Sequence, residues 1–208
     1  MTRRALSMRT TLRIAGACGI ASVVVAGVAE SLAIFYSSGF SFTENWLSDL
    51  GGMSYTAFLN VPRAPVSSPS TILIGQGGLI IAGLLAIIFA FGLLKQADSP
   101  AYRLGAVFGI VGTAGLCASG IFPAPTGMLH LMAVYTFGLL APTAMLLIGG
   151  TFVVTEKWLA GLSITLGIVA LVGTSMISYG RSVAELVLLA TVALWAITLS
   201  IRMLQQSA

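Results

Sequence analysis

Ser48, Asp49, His130 and Glu30 are the side chains of this sequence whose types could carry a reaction. A serine nucleophile needs a histidine within hydrogen-bond reach as general base, and a carboxylate to hold that histidine. Ser48 as nucleophile, His130 as base and Asp49 or Glu30 as orienting acid would meet that requirement. Ser48 and Asp49 are consecutive, so on a helix their side chains diverge by about 100°. One of them reaches His130 more easily than both do in a relay. A metal centre from Glu30, Asp49 and His130 would hold only one imidazole, whereas catalytic zinc takes three protein ligands, often including two or three His. No metal and no cofactor is expected. As a binding set rather than a catalytic one, Glu30, Asn45, Asp49, His130, Tyr179 and Arg181 offer an anion contact and several polar contacts.

Each of these residues also has a structural use. Glu30 pairing with Arg181 would fix the first helix against a distant turn. His130 would bond the loop around Pro123 and Pro125. Ser48 and Asp49 would cap a short helix and turn, and Arg63 and Arg181 would meet lipid phosphates.

The elements that must position these groups follow from composition. Of 208 residues, 57% are hydrophobic and 8% charged, against roughly 25% charged in a soluble domain. Such a chain cannot cover a water-facing surface, so lipid is its outer solvent. The formal charge of +4 reflects basic residues at helix ends, and no nucleic-acid partner is expected.

Hydropathy predicts six spans, approximately 12–36, 71–95, 103–122, 128–153, 157–178 and 182–202, each able to cross a core of about 30 Å. Arg3, Arg4, Arg9, Arg13, Lys95, Arg103, Lys157 and Arg202 fall on one side if the helices alternate, and Arg63 and Arg181 on the other. The bias places both termini and the even-numbered connections in the cytoplasm. The first apolar run follows basic residues as a signal peptide does. It continues past Glu30 to Tyr36, beyond the 7–15 residues of a typical signal core, and reads as a retained first helix. The expected fold is an all-α integral membrane protein, one domain over 1–208, a six-helix bundle with N-in and C-in topology.

The long connection at 37–70 lies outside in this topology. Thr43 to Gly51 offers a capping residue, an acidic first turn, helically spaced apolar residues and a terminal glycine, which predicts a short interfacial helix with Trp46 and Leu50 towards lipid or bundle. Cys18 and Cys117 fall near opposite ends of their helices, too far apart to be joined across about 7 Å.

Small residues drive helix association in lipid. Gly16, Gly19 and Gly27 form one stripe that Glu30 continues, Gly105, Gly109 and Gly112 another, and helix 2 carries Gly75, Gly78 and Gly83. His130, Ala133, Ala141 and Ala144 align on helix 4, so Glu30 and His130 are expected inside the bundle. Pro142 removes the hydrogen bond to the Gly138 carbonyl and predicts a kink. Glu30, Asn45, Ser48, Asp49, His130, Tyr179, Arg181 and Glu185 gather at the outer end, while the cytoplasmic half shows no comparable group. An ionisable group inside a span marks a functional site by default, so a pocket is expected at that outer end.

Asn45-x-x-Ser48-Asp49-Leu50-Gly51 after helix 1, Gly120-Ile121-Phe122-Pro123 closing helix 3 and His130 opening helix 4 resemble an uncharacterised family of small prokaryotic membrane proteins, domain of unknown function nine-nine-eight. The resemblance covers about 12–200, including Phe137-Gly138. The segment 53–70 is longer than the family pattern, and Gln76 stands where asparagine after an aromatic is typical. The resemblance implies a fold, a motif set and a prokaryotic plasma (inner) membrane, and no established activity.

The function expected is that of a non-catalytic membrane protein, which binds lipid or a small molecule, or serves as an accessory subunit, through an extracytoplasmic polar pocket. Its partners would be membrane lipid and a membrane-protein partner or a second copy. The alternative is an intramembrane serine hydrolase or acyl transferase acting on lipid at the outer face, so enzyme status stays open. A carrier would place its charges near the midplane, where this sequence has Pro142 and glycines. No lysine lies within a span to form a retinal Schiff base, and no haem ligand pair or nucleotide-binding loop is present.

Overall fold

A computed structural model describes residues 3–52, 67–179 and 182–207. Six α-helices account for most of them: α1 (Arg3–Phe35), α2 (Pro69–Gln96), α3 (Pro100–Ile121), α4 (Met128–Thr151), α5 (Lys157–Ser178) and α6 (Val183–Ser207). Each contains a stretch long and apolar enough to cross a membrane, and no strand occurs among the described residues. The chain is a polytopic helical membrane protein. α1 begins earlier than expected, at Arg3 rather than near residue 12, because the basic residues that lead into the span join the same helix.

The helix starts are written locally. Ser68 and Ser99 cap α2 and α3, their hydroxyls each accepting at 3.2 Å from the amides of Thr71 and Tyr102. Pro69 and Pro100 follow at the first helical position, where a missing N–H costs nothing and the fixed φ favours the helix.

Consecutive helices pack on one another, and α6 returns against α1 to close a ring in chain order. Glycines permit the close approaches: a Cβ at Gly83 would lie 2.6 Å from the Cys117 backbone, and one at Gly112 would lie 2.9 Å from the Ala141 nitrogen. α1 and α6 approach closely at Gly16 and Gly19. There a Cβ at Gly16 would lie 2.8 Å from the Ser200 carbonyl, and one at Gly19 would collide with the Ser200 hydroxyl. Gly27, expected to continue that packing stripe, instead has open space beside it. The two helices have parted by that level.

The end of the bundle that holds the described termini is densely packed. Phe89 meets Trp195 edge to face at 6.4 Å, and the Trp195 indole donates to Ser163 Oγ at 3.0 Å. This end also holds polar groups, contrary to the expectation of a bare apolar half. Arg202 pairs with Glu156 and lies over the Phe152 ring at 4.9 Å, and the Gln96 amide donates to Gln206 at 2.9 Å. These groups satisfy one another at the helix ends.

Pro142 sits inside a continuous α4. The Gly138 carbonyl it leaves without an amide accepts the Thr174 hydroxyl from α5 at 2.6 Å. A side chain of the neighbouring helix replaces the lost bond.

Candidate functional site

At the opposite end, the chain after α1 turns back over the ring. Asn45 closes the turn: its side-chain Oδ1 accepts from the Ser41 backbone amide at 3.0 Å, and its backbone amide donates to the Ser41 carbonyl at 2.7 Å. A five-residue 3-10 helix, Leu47–Gly51, follows. The expected helix over 43–51 is thus shorter and tighter, since residues 41–45 are spent on the turn. Asp49 serves this short helix: its carboxylate accepts from the Trp46 amide at 2.9 Å. Trp46 and Leu50 are buried at 6% and 1% exposure, so both face the bundle.

What holds this segment down is Glu185, in the first turn of α6. Its buried carboxylate accepts the Ser48 amide at 3.2 Å and the Ser48 hydroxyl at 3.0 Å, and the Leu47 amide also reaches it. The first amides of a helix have no partner within it, and here a carboxylate from another helix satisfies them. Ser182 adds a second tie, its hydroxyl donating to the Phe42 carbonyl at 3.2 Å.

Beneath the 3-10 helix is a small cavity of about 60 Å³ whose polar wall is Glu30, Ser48, Gln76, Ser119, His130 and Glu185. Glu30 and Glu185 lie within electrostatic reach of each other. His130 Nδ1 is 2.7 Å from the Phe122 carbonyl. A carbonyl only accepts, so Nδ1 carries the proton, and the ring clamps the α3–α4 turn. Gln76, with its amide nitrogen turned to acceptors, donates to the Ser119 and Gly120 carbonyls at 3.0 Å each, and Ser119 Oγ donates to Leu116 at 2.7 Å. Glu30 differs from all of these, because its Oε2 is buried with no hydrogen-bond partner.

Glu30 also lines a second and larger cavity of about 340 Å³ that runs down the middle of the ring. The two share Glu30, Leu47, Leu79, Leu116, Phe137 and Leu189 as common wall. The large cavity is apolar from Ala26 to Leu93 and Trp195, and two of its hydroxyls are turned to helix carbonyls: Ser22 donates to the Ala82 carbonyl at 2.8 Å and Thr113 to the Gly109 carbonyl at 2.9 Å. Gly27, Ser31, Leu186 and Ala190 line it and are exposed on the outer face of the bundle. The cavity therefore opens sideways, between the parted halves of α1 and α6.

Of the residues expected at the site, Glu30, Ser48 and His130 share the pocket wall. Asp49 is turned to Trp46 and Asn45 to Ser41, while Tyr179 is 74% exposed at the end of α5. Arg181, with its expected pairing to Glu30, and Arg63 lie outside the described residues. Ser48 directs its hydroxyl to a carboxylate and His130 directs its protonated nitrogen to a carbonyl, so neither bond is the serine–histidine contact of a nucleophilic relay. Among the described residues no three His, Cys, Asp or Glu side chains group to hold a metal.

Gln76, Ser119 and Glu185 of the polar wall stand in neither the catalytic nor the binding set expected from sequence. Glu185, expected in the outer polar cluster but in neither set, begins a helix of membrane-spanning length, and the rule that singled out Glu30 applies to it equally. Gln76, noted only as a departure from a pattern, is a polar side chain about two turns into an apolar helix.

Fold and site together define a six-helix membrane protein with a capped polar pocket above a side-opening apolar cavity. The chain belongs to the family described as Protein of unknown function (DUF998), which matches residues 14–202, the family that the Asn45–Gly51 and Gly120–Pro123 motifs suggest. No curated protein and no solved structure matches it.

Proposed function

We propose that this protein binds a membrane amphiphile, with the apolar tail in the central cavity and the polar head at Glu30, without chemical conversion. The observation that carries the reading is the shared wall: one side chain, Glu30, bounds both a polar pocket and an apolar cavity of about 340 Å³. Ligand sites are of this size, mostly apolar with a few converging polar groups. The slit at Gly27, Ser31, Leu186 and Ala190 supports uptake from the hydrocarbon rather than from water. The excess of Arg and Lys at the termini and even-numbered connections supports a cytoplasmic location for both ends, which puts the pocket at the outer face of a prokaryotic plasma membrane.

Native mass spectrometry of protein gently extracted from its own membrane tests this reading. The expected result is one lipid retained per chain, lost in Ala193→Phe, which places a ring in the cavity. A stoichiometric protein partner with no retained lipid would overturn it and make the pocket end an assembly surface.

A further inference from the structure

We infer that the head of the bound amphiphile is a hydrogen-bond donor, an ammonium or a hydroxyl, that bonds Glu30. The inference rests on the amphiphile-binding reading and adds the chemistry of the head.

The pocket wall has spent its donors. The Ser48 amide and hydroxyl go to Glu185, the Gln76 amide to Ser119 and Gly120, the Ser119 hydroxyl to Leu116 and His130 Nδ1 to Phe122. What remains is acceptor capacity, concentrated in one buried oxygen, Glu30 Oε2. A buried carboxylate oxygen without a partner is among the costliest groups a fold can hold, and more so where lipid replaces water. A phosphate or carboxylate seated directly at Glu30 would bring further acceptors beside Glu30 and Glu185, which lie within electrostatic reach of each other. An N–H or O–H group would supply the missing bond, and an ammonium would in addition bring a positive charge beside the two carboxyl groups. The donor must arrive on an apolar carrier, because Glu30 is reached along the cavity that opens between α1 and α6.

Two lipid pairs test this chemistry, since within each pair methylation removes the head's donor, and the Glu30 variants separate the lost donor from the added bulk. The full-length protein is stripped of lipid by detergent exchange and titrated under native mass spectrometry. The probes are phosphatidylethanolamine against phosphatidylcholine, and diacylglycerol against its methyl ether, all with the same acyl chains. The donor-bearing member of at least one pair is expected to bind about tenfold more tightly, the size of one hydrogen bond to a charged acceptor. A preference in the first pair assigns the ammonium and one in the second the hydroxyl. Glu30→Leu should bring the preference to within about twofold. Glu30→Gln, the milder variant, should lose the ammonium preference while keeping that for a hydroxyl, because an amide oxygen still accepts. Equal binding within both pairs, or a preference that survives Glu30→Leu, overturns the inference. Failure of the amphiphile reading itself is separate: no probe binds the unaltered protein, or Ala193→Phe binds them as well.

Discussion

The hydroxyl of Ser48 donates to Oε1 of Glu185 at 3.0 Å, a bond between positions 137 apart in the chain. It fastens the segment after α1 to the start of α6 and forms the lid of the polar pocket. A serine that would be the nucleophile in a relay is here a cap contact, and the carboxylate that receives it is the anchor of the lid.

Removing that hydroxyl should loosen the lid and leave the bundle intact. Ser48→Ala leaves Glu185 with backbone amides only, a loss of about 1.5–3 kcal/mol for a hydrogen bond to a charged group. Hydrogen exchange should rise at the amides of 46–52 and stay unchanged in α3 and α4. Uniform protection across 46–52 would show that the bond does not hold the lid.

Thr174 is predicted to matter because of Pro142. Thr174→Val removes the hydroxyl that serves the Gly138 carbonyl and should cost about 0.6–1.7 kcal/mol, the range for side-chain hydrogen bonds within membranes. Pro142→Ala returns an amide to that carbonyl, so Thr174→Val should cost less in that background. Additive effects in the double-mutant cycle, followed by unfolding in one detergent, would show that the two are uncoupled.

The helix contacts differ in tolerance in a way that can be read from unfolding midpoints. Gly83→Ala places a methyl 2.6 Å from the Cys117 backbone, which cannot yield as a side chain does, and should destabilise by about 1–3 kcal/mol. Gly27→Ala adds a methyl where nothing lies within 4 Å and should leave the midpoint unchanged. Equal effects would mean that α1 and α6 close together at the level of Gly27.

Gln76→Leu should unsettle the end of α3. The amide serves the Ser119 and Gly120 carbonyls, which belong to the last turn and have no amide of their own helix to accept. The expected loss is about 1–3 kcal/mol, with faster exchange around Phe122. Gln76→Glu should be no milder, because its added oxygen cannot donate while ionised.

How far the chain could be read in advance varies with the range of the interaction. The six spans are local: their apolar runs are bounded by charge, by a Ser-Pro pair or, between α3 and α4, by Pro123, Pro125 and Gly127, so their number and approximate limits follow from hydropathy. Glu30 and His130 were legible as interior groups, because a charge or imidazole among small residues has no other low-cost place in lipid. The partners were not. Nothing near Ser48 says that its acceptor is Glu185, since that pairing depends on α6 returning beside α1 to close the ring. Gly27 misleads for a related reason: its spacing matches Gly16 and Gly19, but two helices can part after one close contact, and periodicity along one helix does not record where the other goes. The cavity arises from that parting, so its existence is a property of the assembled ring and of no single segment.

The most direct test of the central claim is to photo-crosslink a lipid carrying a diazirine in its acyl chain to the protein in bilayers and to map the labelled residues. The amphiphile account predicts label inside the ring, at Ala26, Leu189 and Trp195, suppressed by Ala193→Phe. Label confined to outward residues such as Leu73 and Trp158, which are 76% and 64% exposed, would contradict it and leave the cavity without a lipid occupant.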